Sequence, residues 1–376
     1  MKIDTFKTEE WMNKYEKYAR YDMTCTCVNS FSLEELFKLT KNDLSGFLKT
    51  TLDYGNITGS DELKSLISDL YLNKTPDNVT VTVGTIGANQ LVYLSLLEKG
   101  DEVICVIPTY QQHYSIPKQL GADVKFLRLK EELNWLIDFE ELKNLITSKT
   151  KMIILNNPNN PTGSVMSYDE LRELVSVADE YGIYILCDEV YRGLNHYETD
   201  NKISIADIYD RGISTSSLSK TYSLAGIRVG YVVANKDIID EINHQRQYNT
   251  ISVSRIDDYI GCIALRNKDK IIKRNLKTII EGKRVLTAWV KSRDDFSVIE
   301  PKAGTTAFLK YNFNMNSTEF SEKLFKDTGV LFLPGDAFEF DKHLRIGYCG
   351  DIENLREGLN ITSNWVDKNL NPVGIN

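Results

Sequence analysis

The sequence predicts an α/β fold in which a mostly parallel sheet is sandwiched by helices, with a smaller α+β lobe attached. Short apolar, β-branched runs recur between residues 79 and 234, and most of them are separated by amphipathic stretches of helical periodicity. The two flanks of the chain lack this alternation. The predicted strands are 79–83, 103–107, 152–155, 183–187, 214–218 and 229–234.

The helices between these strands follow from the spacing of apolar side chains. Leu91, Leu94 and Leu97 recur at helical intervals after the first strand. The stretch 168–181 places Leu171 and Leu174 on one face in the same way. Strand and helix therefore alternate as βαβ units, and we predict one large domain over residues 45–270.

The flanks predict a small domain built from residues 1–44 plus 271–376. Trp11, Tyr15 and Tyr18 recur at helical spacing near the start of the chain. A long basic helix is predicted over 271–289, and short apolar runs follow it at 296–299, 307–311 and 344–348. No Pro/Gly-rich linker separates the two parts, which predicts that they pack closely.

Composition excludes several classes of protein. The 376 residues are 42% hydrophobic and 26% charged, as in soluble globular proteins. Their 45 Lys and Arg against 53 Asp and Glu give a net charge of −8, which argues against nucleic-acid and anionic-membrane partners. No apolar run approaches the roughly 20 residues that span a bilayer. Small-molecule partners are the expectation.

Cysteine and histidine usage predicts neither disulfides nor a metal site. Six cysteines, several of them in apolar runs, and an N-terminus without a signal peptide favour reduced thiols and a cytoplasmic location. Cys25 and Cys27 lack the two-residue spacer of a zinc or redox motif, and the four histidines are scattered.

Ligands of open α/β sheets bind beyond the carboxyl ends of the strands. The first strand ends at Gly84-Thr85-Ile86 and leads directly into a helix, whose free N–H groups and positive dipole end suit a phosphate. A bare strand-to-helix turn is the alternative.

The second strand places Tyr110 at the rim, where its ring can stack on a flat ligand or simply pack. The third leads into a turn-rich loop over 156–163, whose amides can bind ligand oxygens.

The next two strands deliver charged side chains to the same edge. Asp188 follows the fourth strand, where its alternative role is a helix N-cap. Lys220 follows the fifth strand, although most lysines lie on solvated faces. A phosphate pocket, a stacking ring, an amide, a carboxylate and an amine together suit pyridoxal phosphate, whose aldehyde condenses with a lysine and whose ring nitrogen pairs with a carboxylate.

The chain resembles the class I/II aminotransferases among the fold type I pyridoxal-phosphate enzymes. The resemblance extends from about Tyr54 to Arg345, and three segments carry it in order, 157–163, 188–193 and 217–230. It implies that Lys220 holds the cofactor as an internal aldimine and moves a proton between the substrate Cα and the cofactor.

The resemblance also implies roles for the other polar residues. Asp188 would pair with the pyridinium nitrogen, and Asn160 and Tyr191 would hydrogen-bond the phenolic oxygen of the ring. Tyr110 would stack on that ring. The residues implied around the phosphate are Gly84, Thr85, Ile86, Ser217, Ser219, Arg228 and Tyr54, the last of these lent by the neighbouring subunit of a homodimer with shared sites.

Substrate binding is assigned by the same resemblance. Arg345 would clamp the α-carboxylate, with Asn160 beside it. A surface ion pair of Arg345 with Asp341 or Asp351 is the alternative. No second arginine can be assigned to an acidic side chain, so an aspartate-specific enzyme is not supported. Many relatives carry a Gly/Pro-containing segment where this chain has Thr-Cys-Thr-Cys-Val-Asn-Ser at 24–30, which leaves the substrate open.

The predicted function is transfer of an amino group between an α-amino acid and a 2-oxo acid. The same residues also serve a C–S β-lyase or an elimination/cyclisation enzyme acting on a modified amino acid, because the first carbanion is common to all three. A non-catalytic sensor that binds pyridoxal phosphate is a less favoured third reading, because only about 50 residues precede Tyr54 and they lack a basic helix-turn-helix pattern.

Overall fold

The computed structural model describes residues 2–197 and 203–370. The α-helices of these residues are α1 (Lys7–Tyr15), α2 (Leu33–Thr40), α3 (Leu44–Leu48), α4 (Asp61–Ser68), α5 (Gly84–Leu96), α6 (Gln112–Leu120), α7 (Phe139–Leu145), α8 (Tyr168–Glu180), α9 (Ile205–Ile208), α10 (Lys236–Arg246), α11 (Arg255–Arg266), α12 (Lys268–Lys291), α13 (Ser317–Thr328) and α14 (Ile352–Asn369). The strands are β1 (Tyr21–Asp22), β2 (Val79–Val83), β3 (Glu102–Ile107), β4 (Asp123–Arg128), β5 (Thr150–Asn156), β6 (Tyr184–Asp188), β7 (Gly212–Ser217), β8 (Val229–Val233), β9 (Phe296–Val298), β10 (Thr306–Tyr311), β11 (Val330–Leu331), β12 (Leu333–Pro334) and β13 (His343–Gly347).

Seven strands form the central sheet in the order β2-β8-β7-β6-β5-β3-β4. Every neighbouring pair is parallel except the two that involve β8, which is antiparallel to β2 and to β7. The predicted mostly parallel sheet is confirmed. The sequence pattern does not indicate β4, because Lys125 and Arg128 interrupt its apolar residues; β4 is an edge strand, where charged side chains are tolerated.

Both faces of this sheet are covered by helices. Successive strand side chains point to opposite faces, so Ile153 and Ile154 of β5 enter different cores. Ile153 shares a buried cluster with Leu171 of α8, and Ile154 shares one with Leu91 of α5 and Ile239 of α10. The sandwich that the apolar spacing predicts is therefore present, and it buries every residue of β5 except Lys151.

Both ends of the chain contribute to a second set of strands. An antiparallel sheet has the order β12-β13-β10-β9, and β1 pairs in parallel with β11 through Tyr21 and Val330. The indole of Trp11 in α1 donates a buried hydrogen bond of 3.0 Å to the carbonyl of Phe332. The N-terminal helix is thereby held on the C-terminal strands.

Helix α2 packs differently from α1. Leu36 and Phe37 of α2 are buried, and Leu36 belongs to the cluster that contains Leu63 and Ile67 of α4. The domain limits at 44/45 and 270/271 remain predictions.

Across the described residues, no helix combines the length and the apolar character needed to cross a bilayer.

Candidate active site

A cavity of about 530 Å³ opens where the carboxyl ends of the central strands meet the N-terminal segment and β13. Its volume is typical of small-molecule sites. The predicted site residues that line it are Thr85, Ile86, Tyr110, Asn160, Asp188, Tyr191, Ser217, Ser219, Lys220, Arg228 and Arg345. Gly84 immediately precedes Thr85 in the chain, whereas Tyr54 lies outside this cavity with 79% of its surface exposed.

Lys220 lies three residues beyond the end of β7 and points at the N-terminal segment. Its Nζ donates to Oγ1 of Thr26 at 2.6 Å and to Sγ of Cys27 at 3.3 Å. Burial lowers the pKa of this ammonium, but the neighbouring Tyr191 and Cys27 raise it by more, so the pKa stands above its ordinary value. An amine with these neighbours is a charged hydrogen-bond donor at neutral pH.

Asp188 is the last residue of β6, and its buried carboxylate is held from three sides. Oδ2 accepts from Nδ2 of Asn89 at 3.2 Å, and Oδ1 accepts from the N–H of Val190 at 3.1 Å. Nε2 of His113 lies 3.4 Å from Oδ2. The predicted alternative, an N-cap, does not apply, because no α-helix follows Asp188 directly.

His113 is a residue of this site that the sequence reasoning missed. It is fully buried in α6, and its Nδ1 shares a hydrogen bond of 2.7 Å with the hydroxyl of Tyr93. Tyr93, His113 and Asp188 therefore form a buried chain that ends at the cavity. A signal was present in the sequence, because His113 lies shortly after Tyr110, in the segment that follows the second predicted strand.

Asn160 and Tyr191 lie on the loops after β5 and β6. The N–H of Asn160 donates to Oδ1 of Asn156 at 2.6 Å, while its own Oδ1 is buried without a hydrogen-bond partner among the described residues. Burial raises the pKa of the Tyr191 hydroxyl, although Lys220 and Arg345 act in the opposite direction. That phenol is therefore a proton donor at neutral pH.

The turn between β2 and α5 has the geometry of an anion site. Gly84 has a φ of +68°, and its N–H donates to the carbonyl of Arg228 at 2.8 Å. The N–H groups left for a ligand are those that follow in the first turn of α5. Oγ1 of Thr85 is buried there without a partner in the described chain. A Cβ on Gly230 would collide with the backbone of Gly84, so glycine is required where β8 meets this turn.

Other residues predicted around the phosphate border the same turn. The guanidinium of Arg228 lies 2.6 Å from where a Cβ of Gly84 would stand, and its Nη1 donates to the carbonyl of Ala225 at 3.0 Å. Ser217 and Ser219 line the cavity beside it, and the N–H of Ser219 donates to Oγ of Ser217 at 3.3 Å. A cation, hydroxyls and a helix N-terminus thus converge.

Arg345 lies on β13 and lines the same cavity as Asp188. Its Nη2 donates to the carbonyl of Thr24 at 2.9 Å, and its Nε is buried without a partner among the residues described. Burial lowers the pKa of this guanidinium. It forms no ion pair with Asp341, which accepts from the N–H of Ser317, or with Asp351, which caps α14. The surface ion pair considered as an alternative is therefore wrong.

Tyr110 stands at the rim of the cavity. Its ring contacts that of Phe6, with centroids 4.7 Å apart, and its hydroxyl donates to Oε1 of Glu9 at 2.9 Å. The ring is thus held between α1 and the end of β3.

Within 2–197 and 203–370, no group of three or more His, Cys, Asp or Glu residues could hold a metal ion.

Comparisons with known proteins agree with this arrangement. The family model described as aminotransferase class I and II matches residues 28–361. A crystal structure of a PLP-dependent aminotransferase from Streptococcus suis is 41% identical, with a TM-score of 0.95 and complete coverage of both chains.

Two further relatives differ in their described activity. An aspartate aminotransferase from Pyrococcus horikoshii is 31% identical over 312 residues, which cover 80% of each chain. A PLP-dependent cyclase, OrfR, is 26% identical with a TM-score of 0.90 and coverage of 98% of both chains. The predicted aminotransferase fold and activity are confirmed at the level of the family, and the chain belongs to the class I and II aminotransferases.

Proposed function

We propose that the chain binds pyridoxal 5′-phosphate in the 530 Å³ cavity and transfers an amino group between an α-amino acid and a 2-oxo acid. The observation that carries this proposal is the meeting of Lys220, Asp188, Arg228 and Arg345 around one cavity, although they are far apart along the chain. The amine can condense with the cofactor aldehyde, and the carboxylate can pair with the ring nitrogen. The two guanidinium groups can bind the phosphate and the substrate carboxylate.

Unpartnered buried atoms support the fit of this cofactor. Oγ1 of Thr85 and Oδ1 of Asn160 each lack a hydrogen-bond partner in the described residues, and an unpaired buried polar atom costs about 1–3 kcal/mol. A phosphate at the start of α5 would complete the coordination of Thr85. Oδ1 of Asn160 would accept from a protonated ring oxygen, whereas the amide nitrogen of Asn160 or the phenol of Tyr191 would donate to an ionised one.

Bound pyridoxal phosphate supplies an aldehyde that condenses with amines and a ring that withdraws electrons from the substrate Cα. The residues of the chain then position and move protons. With the cofactor bound, the neutral amine of Lys220 would take the proton from the substrate Cα as general base and deliver it to the former aldehyde carbon of the cofactor. Asp188, held by Asn89, Val190 and His113, would pair with the ring nitrogen of the cofactor.

Arg345 orients the substrate through its carboxylate. A guanidinium offers two parallel N–H donors to a carboxylate, and the free Nε of Arg345 supplies a donor for such a grip. With Asn160 on the adjoining loop, this grip determines which bond at Cα faces Lys220.

The proposed active form is a homodimer in which Tyr54 serves the partner's phosphate. Tyr54 is exposed, and the residues beside it include Leu52, which is 84% exposed. Leu48 is 77% exposed in the preceding helix. Exposed apolar side chains of this density support an interface with a second chain.

Mixing two inactive chains tests the shared site. A K220A chain and a Y54A chain can together form a dimer with one complete site, in which Lys220 and Tyr54 come from different subunits. We expect activity to rise above that of either variant alone when the two are unfolded, mixed and refolded together. A mixture no more active than the sum of its parts argues against sharing.

The six cysteines are all free thiols, which supports a reducing compartment such as the cytoplasm. Amino acids and 2-oxo acids, both small molecules, are the proposed substrates.

Elimination or cyclisation is the second candidate function, because the PLP-dependent cyclase OrfR matches nearly the whole chain. The two candidates differ in their need for an acceptor. Purified enzyme loaded with pyridoxal phosphate is incubated with single amino acids, with and without a 2-oxo acid. Transamination predicts a new amino acid only when the acceptor is present, whereas ammonia, pyruvate or a cyclised product without acceptor would favour the second candidate.

A further inference from the structure

The N-terminal segment forms one wall of the active-site cavity and places three carboxylates on it. Glu9 in α1, Glu16 in the turn after α1 and Asp22 in β1 all line the cavity. None of the three belongs to the set that the proposed function uses.

Two of these carboxylates are fixed by groups that line the same cavity. Oε1 of Glu9 accepts from the hydroxyl of Tyr110 at 2.9 Å. Oδ1 of Asp22 accepts from the N–H of Thr24 at 2.7 Å and from its hydroxyl at 2.5 Å. Their negative charges therefore have defined positions at the mouth of the cavity.

Once the cations of the cavity wall are assigned to the cofactor and to a substrate carboxylate, none is left to pair with the three carboxylates. Lys220, Arg228 and Arg345 already serve the cofactor aldehyde, the phosphate and the α-carboxylate. No lysine or arginine in the described chain lies within 4.0 Å of a carboxylate oxygen of Glu9, Glu16 or Asp22. Burial raises the pKa of Glu16, and repulsion from Asp22 and Glu9 raises it further, so the three carboxylates act on one another.

An unpartnered buried donor supports binding of a ligand in this part of the cavity. Nε of Arg345 lacks a partner among the described residues, although Arg345 is 94% buried, and it lines the same cavity. Arg345 also donates to the carbonyl of Thr24, whose N–H binds Asp22. Thr24 thus links Arg345, which is proposed to bind the substrate carboxylate, to Asp22.

We propose that the amino donor carries a second cationic group on its side chain, which Glu9, Glu16 and Asp22 bind while Arg345 holds its α-carboxylate. The inference rests on the proposed function and names its substrate class, amino acids with an amine or a guanidinium at the end of the side chain. Charge-assisted hydrogen bonds to carboxylates supply both affinity and discrimination against neutral and acidic side chains.

Matched donor pairs test this class. The value of kcat/KM is measured for each amino donor with the holoenzyme and a saturating 2-oxo acid. The cationic donors arginine and lysine are compared with their neutral matches citrulline and norleucine, and glutamate is the acidic donor. We expect the cationic member of at least one pair to exceed its neutral match by about tenfold or more, since hydrogen bonds to charged groups are worth about 1.5–3 kcal/mol. Glutamate should be the poorest donor.

Substitutions show whether the carboxylates cause the preference. Asp22→Asn and Glu16→Gln should each reduce the cationic-to-neutral ratio of kcat/KM by about tenfold. Glu10→Gln is the control, because Glu10 is exposed on the same helix but does not line the cavity. Its ratio should equal that of the unmodified enzyme.

The outcomes separate the two proposals. Turnover in which neutral or acidic donors equal or exceed the cationic ones overturns the inference and leaves the aminotransferase assignment intact. A preference that survives Asp22→Asn and Glu16→Gln also overturns it. Failure of every donor to react with the bound cofactor overturns the proposed function, and the inference fails with it.

Discussion

At the scale of the residue, the chemistry of this chain depends on the surroundings of a few buried groups. Lys220 is an ordinary amine until Thr26 and Cys27 hold it at the cavity wall. Asp188 is an ordinary carboxylate until Asn89 and His113 fix it at the end of β6. The residue types were readable from the sequence, whereas these partners were not.

Replacing Lys220 by alanine removes the proposed nucleophile and general base together. We expect kcat to fall by at least about 10³-fold, because each of these roles contributes strongly to rate. Single-turnover kinetics followed by the cofactor absorbance measure the change. Lys236→Ala, an exposed lysine paired with Asp240, is the matched control and should retain full activity. A Lys220→Ala enzyme with normal turnover would falsify the assignment.

Replacing Asp188 by asparagine keeps the shape of the side chain but removes its charge. We expect kcat to fall by at least about 100-fold, because the ring nitrogen loses the anion that stabilises its protonated form. The pH titration of the cofactor absorbance should shift as well. Asp179→Asn, an exposed position on α8, is the control. Equal activities of the two variants would contradict the role proposed for Asp188.

At the scale of the element, the site depends on where strands end and helices begin. Six strands of the central sheet run in the same direction, and five of them, β2, β3, β5, β6 and β7, lead at their carboxyl ends into residues of the cavity. β8 runs in the opposite direction, so Arg228, which precedes it, reaches the same edge as Gly84, which follows β2. One reversed strand thus brings a cation to the helix N-terminus that is proposed to bind phosphate.

Glycine at position 230 permits the close approach of β8 to the turn at Gly84. Gly230→Ala is expected to displace this turn and weaken the binding of pyridoxal phosphate by about tenfold or more, since a methyl group forced into close-packed structure costs about 1–3 kcal/mol. Fluorescence titration of the apoenzyme measures the dissociation constant. Gly226→Ala lies in the same segment with open space around it and should bind the cofactor normally. Equal affinities would show that the close approach is unimportant.

At the scale of the whole molecule, exposed apolar side chains near Tyr54 predict association of two chains. Leu48 and Leu52 are largely exposed, and residues 52–54 adjoin 252–254. Such a surface is costly in water unless a partner covers it. Dimerisation would also bring Tyr54 to a site in the other subunit.

A charge placed on this surface tests the dimer. We expect Leu52→Asp to change the mass in solution from that of two chains of 43.0 kDa each to that of one, because a buried unpaired carboxylate opposes association. Light scattering after size-exclusion chromatography measures the mass. Leu72→Asp, at another exposed leucine, is the control and should leave the dimer intact. A monomeric unmodified chain would contradict the proposal directly.

The sequence by itself determined the fold class, the family and the identities of the polar residues at the strand ends. Hydrophobic periodicity is local, so six of the seven strands between residues 79 and 234 and the helices between them could be predicted, and the mostly parallel arrangement follows from their alternation. The segments 157–163, 188–193 and 217–230 carry chemistry that few ligands other than pyridoxal phosphate require together.

Only the tertiary structure decided which side chains support that chemistry and what surrounds the substrate. His113 and Asn89 contact Asp188 from separate helices, and Glu9, Glu16 and Asp22 enter the cavity because the N-terminal segment packs on the C-terminal strands. Such contacts join residues up to several hundred positions apart, and no local pattern records them. Periodicity reports which face of an element is buried, whereas the specificity of the site comes from which elements meet.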